Sequence, residues 1–218
     1  MYKLAIFDMD GTLLDTLGDL ANASNYALAR MGYPIHDQRD YLEYIGHGPN
    51  VLLGRALPGE ARAQETIERA KAIFLEYYTA HSQDETQPYP GIVEMLRQLK
   101  DAGMTTAIYS NKPDAGVKRL ASIYFPGLFA VSVGFRDGVK PKPDPAAVFE
   151  MLEQCGVAQS EAAYIGDSGV DMMTGKNAGL FAIGVSWGFR PVKELWDTGA
   201  DAVVDTADEL LKILLDKN

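Results

Sequence analysis

"LAIFDMDGTLLD", Leu4 to Asp15, sets a buried strand against two carboxylates. Leu4, Ala5, Ile6 and Phe7 are apolar without interruption, the pattern of a strand covered on both faces. Asp8 and Asp10 follow at once. In an extended chain residues i and i+2 point the same way, so the two carboxylates share a side if the chain stays extended to Asp10. Such a pair repels unless a proton or a cation lies between its members. Gly11 then lets the backbone turn sharply.

Further apolar runs of strand length are Thr105–Tyr109, Phe129–Val133, Ala162–Ile165, Phe181–Val185 and Ala202–Val204. Most are continuous rather than alternating, as in a parallel sheet buried on both faces. Helical stripes separate them. Ile92, Met95, Leu96 and Leu99 form one, stopped by Gly103, and Val148, Leu152 and Cys155 form another, stopped by Gly156. This alternation predicts an α/β doubly wound parallel sheet. Residues 16–85 depart from it with helical patterns alone, among them Leu17, Leu20, Ala21, Leu28 and Met31, then Ile67, Ala70, Phe74 and Tyr78. The organisation expected is a core of residues 1–15 and 86–218 with a small all-helical insert at 16–85. "QPYPG", Gln87 to Gly91, marks the return.

The chain has 218 residues and a formal net charge of −10. That acidity argues against nucleic-acid or anionic-membrane partners, which need a basic footprint. No window reaches the roughly 18 apolar residues of a membrane span, and Asp8 and Asp10 cut short any resemblance to a signal peptide. A lone cysteine, Cys155, fits a reducing compartment. A cytoplasmic protein is expected, with monomer and homodimer both open.

Downstream, "AAYIGDSGVD" repeats the opening pattern: a buried strand, then Asp167, then Asp171 in the first turn of a helix. Ligands bind outside the C-terminal edge of open α/β sheets, so four acids from two strand ends can converge there. Hard oxygen ligands of this kind suit Mg²⁺. "AIYSNKP" ends another strand with Ser110, Asn111 and Lys112, offering a hydroxyl and N–H groups to a phosphoryl oxygen. "GVKPKPDP" holds Lys140 and Lys142 in a proline-stiffened loop. In the helical insert, "YIGHGPNVLLGRAL" places His47 between Gly46 and Gly48 and carries Arg55. It reads either as a helix–helix turn or as a substrate contact, Arg55 meeting a carboxylate. Trp187 reads either as pocket lining or as packing.

The order DxDGT, Ser110, the K-P-x-P-D-P phrase and GDxxxD resembles the haloacid dehalogenase-like hydrolase superfamily over essentially the whole chain. The insert resembles the helical cap of its first subfamily, and "DMDGTLLDT", "YSNKP" and "IGDSGVDMMTGKNAG" are similar to phrases of phosphoglycolate phosphatases. The resemblance implies a phosphatase with 2-phosphoglycolate as first candidate substrate. It implies Asp8 as nucleophile, Asp10 as general acid and base, and Ser110 with the N–H of Asn111 on the phosphoryl group. Gly11, His47 and Arg55 complete the expected substrate-binding set. Lys140, which opens its phrase, is chosen over Lys142 as the charge-neutralising lysine. Mg²⁺ would be held by Asp8, the Asp10 carbonyl and Asp167, with Asp171 acting directly or through water. Dehalogenases of this superfamily lack the acid at the Asp10 position, so its presence implies phosphoryl transfer. A sugar-phosphate mutase, a pyrophosphatase and a non-enzymatic phosphate-binding module are the competing readings.

Overall fold

The computed structural model describes residues 1–216. The chain divides into two compact units, one of Met1–Leu14 with the chain from Pro88 onward, the other of Asp15–Gln87. Its strands are β1 Leu4–Phe7, β2 Leu14–Asp15, β3 Gln87–Pro88, β4 Thr105–Pro113, β5 Val131–Phe135, β6 Ala162–Gly166, β7 Phe181–Val185 and β8 Ala202–Val204. Its helices are α1 Leu17–Arg30, α2 Tyr41–Tyr44, α3 Pro49–Ala56, α4 Gln64–His81, α5 Ile92–Asp101, α6 Asp114–Tyr124, α7 Ala146–Cys155, α8 Gly169–Asn177, α9 Val192–Asp197 and α10 Ala207–Leu215.

The first unit is built on a six-stranded sheet in the order β5-β4-β1-β6-β7-β8. Every pairing is parallel, so all six strands end at one edge. The period-two alternation of β1 divides its side chains between two cores. Ala5 and Phe7 join Ile108, Ala163 and Ile165 beneath α5, α6 and α10. Leu4 and Ile6 join Ala107, Tyr109 and Tyr164 beneath α7. All four β1 residues are buried, as a central strand covered on both faces requires. The α/β doubly wound parallel sheet expected from the sequence is the architecture found. One strand is displaced: β5 begins at Val131, two residues after the expected Phe129. Phe129 packs edge-on against Phe7 and Phe125, at ring separations of 6.2 and 5.6 Å. Its hydrophobicity thus serves the core ahead of the strand.

In the second unit α4 packs against α1 and α3, and α3 against α2. Leu20, Ala21, Ala27 and Leu28 of α1 and Ala70, Phe74 and Tyr78 of α4 are buried. Buried Asp19 ties down the unit's end, accepting hydrogen bonds from the N–H groups of Glu85 and Thr86 and from the Thr86 hydroxyl. Among the described residues no helix is long and apolar enough to cross a membrane.

Candidate active site

Three adjacent strands deliver the expected acids and their partners to one edge. β1 ends at Phe7, whose neighbours across the sheet are Ile108 on β4 and Ile165 on β6. Asp8 continues from β1, its N–H donating to the Ile165 carbonyl at 2.9 Å. Met9 turns back into the core, and Asp10 lies near enough to Asp8 for its charge to act on that carboxyl. The chain then folds tightly, with the N–H groups of Thr12, Leu13 and Leu14 all directed to the Met9 carbonyl.

On β6, Gly166 leads into Asp167, and Ser168 caps α8. The cap is reciprocal: Asp171 N–H donates to Ser168 Oγ at 3.4 Å, while Ser168 N–H and Oγ–H donate to Asp171 Oδ2 at 3.1 and 2.6 Å. This capping box fixes Asp171 in the first turn. Asp167 is held by Thr12 Oγ1 at 3.0 Å and by the N–H of Phe189 at 2.8 Å. Asp8, Asp167 and Asp171 offer carboxylate oxygens all within 4.8 Å of one another, and all three are buried. Gly11, at φ +87°, lies so close to Asp167 that a side chain there would strike its carboxylate. Its absence of Cβ brings the loop onto the acid.

The lysine at the centre is Lys142. Its Nζ lies 2.6 Å from Asp171 Oδ1 and 2.9 Å from Asp8 Oδ1, with its side chain 2% exposed. Lys140, expected in this place, points elsewhere: its side chain is 82% exposed and pairs with Asp144 at 3.6 Å. The choice between the two is therefore corrected to Lys142. Asn111 supplies the physical reason. Its side-chain amide spans the Lys142 peptide, Oδ1 accepting from Lys142 N–H at 2.9 Å and Nδ2 facing the Lys142 carbonyl at 3.5 Å. Asn177 holds the next residue, donating to the Pro143 carbonyl at 3.0 Å. Position 142 is thus pinned under the carboxylates while position 140 stays outside.

Ser110 is buried, 3% exposed, and its Oγ accepts from Lys112 N–H at 3.4 Å. Lys112 reaches Asp10 with Nζ at 2.8 and 3.0 Å from the two carboxylate oxygens. Trp187 packs against the core and donates from Nε1 to the Thr12 carbonyl at 3.0 Å, so it braces the loop beside Gly11. In the second unit His47 is exposed between Gly46 and Gly48, both at positive φ. Arg55 is engaged locally: its guanidinium donates to the Glu43 carbonyl at 2.6 Å, at the end of α2. That bond gives it the role of a helix C-terminal cap.

Burial raises the Asp8 carboxyl to about 7. The opposing pull of the Lys142 ammonium is outweighed by lost hydration and by the charges of Asp171 and Asp10. Burial, with Asp171 and Asp8, also pushes Asp167 well above the usual carboxylate range. For Lys142 burial disfavours the charge, but Asp171 and Asp8 hold the ammonium well above its ordinary value. With all three carboxylates ionised, the one ammonium would leave two negative charges to balance, and burial together with this excess drives the Asp8 and Asp167 carboxyls to hold protons when no cation is bound. Asp8 Oδ1 has the ammonium beside it without hydrogen-bond alignment. A buried all-oxygen donor set with two charges to balance fits a divalent metal ion. The oxygens of Asp171 already accept three protein hydrogen bonds, so Asp8 and Asp167 have the greater capacity for it.

A family model of haloacid dehalogenase-like hydrolase matches residues 5–185. The phosphoglycolate phosphatase of Vibrio parahaemolyticus is 33% identical over 218 residues, covering 97% of this chain and 96% of the relative. That of Psychrobacter arcticus is 32% identical over 223 residues, covering 98% and 96%. The crystal structure of an inferred phosphoglycolate phosphatase from Lactobacillus delbrueckii subsp. bulgaricus matches at a TM-score of 0.92 and 36% identity, over 98% of each chain. With the acid pairs at two strand ends and a parallel sheet to carry them, the chain belongs to the haloacid dehalogenase-like hydrolase family.

Proposed function

We propose that the chain is a Mg²⁺-dependent phosphatase of small phosphorylated metabolites, with 2-phosphoglycolate first, acting through an aspartyl-phosphate on Asp8. The observation that carries this reading is a nucleophile-type carboxylate set between a buried lysine and two further acids, with a second acid two residues along. Asp8 attacks phosphorus, and the bond to the leaving oxygen breaks as Asp10 gives that oxygen a proton. A water then attacks the phosphoryl group, passing its proton to Asp10. The bond from Asp8 to phosphorus breaks, releasing phosphate, regenerating the Asp8 carboxylate and leaving Asp10 protonated for the next turnover. Splitting one difficult displacement into two is what covalent catalysis accomplishes. Lys142 holds Asp8 in place and neutralises charge shared with the phosphate. Ser110 binds a phosphoryl oxygen. Asp8 and Asp167, with Asp171 beside them, would hold the Mg²⁺, which when bound would supply charge neutralisation and alignment.

Phosphate release from a metabolite panel headed by 2-phosphoglycolate tests this directly. Turnover is expected with Mg²⁺ and its loss in EDTA. Equal rates in EDTA would sink the metal assignment. Conversion of a sugar 1-phosphate to its 6-phosphate without phosphate release would identify a mutase instead.

A second test needs no substrate. The folded-state carboxyls of Asp8 and Asp167 titrate above their ordinary value of 3.8. The folded metal-free protein therefore binds these protons more tightly than the unfolded chain. Their contribution to stability is complete below 3.8 and is lost as the pH rises through about 7 for Asp8. In calorimetry, Mg²⁺ is expected to raise the melting temperature more at pH 8 than at pH 5.5. An equal rise at both would show that the ion does not meet these carboxylates.

A further inference from the structure

The geometry points to Lys112 as a positioning residue for Asp10. This inference rests on the phosphatase reading, in which Asp10 moves the proton. Lys112 lies near the end of β4, three residues from the core residue Tyr109. Its side chain is 3% exposed, against 12% for Asp10. The ammonium is 2.8 Å from one oxygen of Asp10 and 3.0 Å from the other. Contact with both oxygens fixes the plane of the carboxylate as well as its position, which a single hydrogen bond would not do. The strand carrying Lys112 is the neighbour of the strand leading into Asp10, so the lysine has a rigid base. Its N–H, directed to Ser110 Oγ at 3.4 Å, joins the same residue to the expected phosphoryl contact. The cluster therefore assigns its two buried lysines separately: Lys142 to Asp8 and Asp171, Lys112 to Asp10.

Proton donation matters most when the leaving group is a poor one, since an acidic phenol departs unaided. The test compares an alkyl phosphate with p-nitrophenyl phosphate, in Mg²⁺, for the parent, Lys112→Met, Lys112→Gln, Asp10→Asn and the double variant Lys112→Met with Asp10→Asn. Lys112→Met is expected to lower kcat on the alkyl ester about tenfold or more relative to the aryl ester, a part of what acid–base catalysis supplies. KM should change little. With Asn at position 10, adding Lys112→Met should have no further effect on that ratio, because the lysine acts through the acid. Lys112→Gln, which keeps a donor, should fall between the parent and Lys112→Met. Circular dichroism and melting curves check folding, and the double variant, which removes the acid's charge along with the lysine's, remains informative if Lys112→Met is destabilised. Equal losses on the two esters, or an undiminished effect of Lys112→Met with Asn at position 10, would overturn the inference. A parent that hydrolyses neither ester while the metabolite panel is also inert would overturn the phosphatase reading itself.

Discussion

Carrying asparagine at position 8, the protein should release phosphate on the order of 10⁴-fold more slowly or worse, because the amide is no nucleophile at phosphorus. The substitution is nearly isosteric, so the fold should persist. It also has an effect opposite in sign to the loss of activity. Asp8 is buried, and its ionised form is disfavoured enough to lift its carboxyl to about 7. A neutral amide removes that cost. In EDTA at pH 8 the Asp8→Asn protein should therefore melt above the parent, and its melting temperature should respond less to Mg²⁺. Paired calorimetry and phosphate release check both halves. A variant as active as the parent would end the nucleophile assignment. One that is inactive but melts lower in EDTA at pH 8 would contradict the electrostatic account of the site.

Lys142→Met should be the more damaging to structure. The side chain is 2% exposed and its ammonium serves two buried carboxylates. Removing one partner of a buried ion pair leaves uncompensated charge and costs about 3–5 kcal/mol. For a chain of this size that corresponds to a fall in melting temperature on the order of 10 °C. Phosphate release should fall steeply as well, since the lysine adjoins the attacking oxygen. Lys140→Met, by contrast, removes an exposed pair with Asp144 and should leave both quantities within error of the parent. The contrast between two lysines two positions apart is what thermal melts and activity assays must reproduce. If Lys140→Met were the inactive protein and Lys142→Met the normal one, the loop geometry would be wrong.

The central sheet could be read from the sequence because β1, β6 and β7 are continuous apolar runs, the pattern of parallel strands buried on both faces, and helical stripes alternate with them. Three of the four acids could be read because their positions follow from strand ends: Asp8 follows β1 directly, and a capped first turn places Asp171 by Asp167, whereas Asp10 stands outside that cluster and pairs with Lys112. The lysines could not. "KPKPDP" is almost symmetric about Pro141, and nothing local separates Lys140 from Lys142. The separation comes from Asn111, 31 residues away, whose amide grips the Lys142 peptide. Asn111 shows the same limit from the other side: its N–H is the group expected at the phosphoryl oxygen, and nothing local announces that its side chain is committed to that peptide. Lys112 and Arg55 each depend on a partner that only the folded chain brings within reach, Asp10 in one case and the end of α2 in the other. Long flexible cations are placed by tertiary contacts, whereas short carboxylates are placed by the backbone that bears them.

The double grip on Lys142 and Pro143 also divides the loop into parts of unequal freedom. Asn111 on β4 and Asn177 in α8 seize consecutive residues from two sides. From Arg136 to Lys140 the chain is largely open to solvent. Insertions or deletions in that first stretch can be absorbed at the surface, as loop tips generally allow. From Pro141 onward a single added residue would carry the ammonium out from under its carboxylates. Length variation in this loop thus has a sharp downstream limit, set by two asparagine side chains rather than by the lysine whose place they keep.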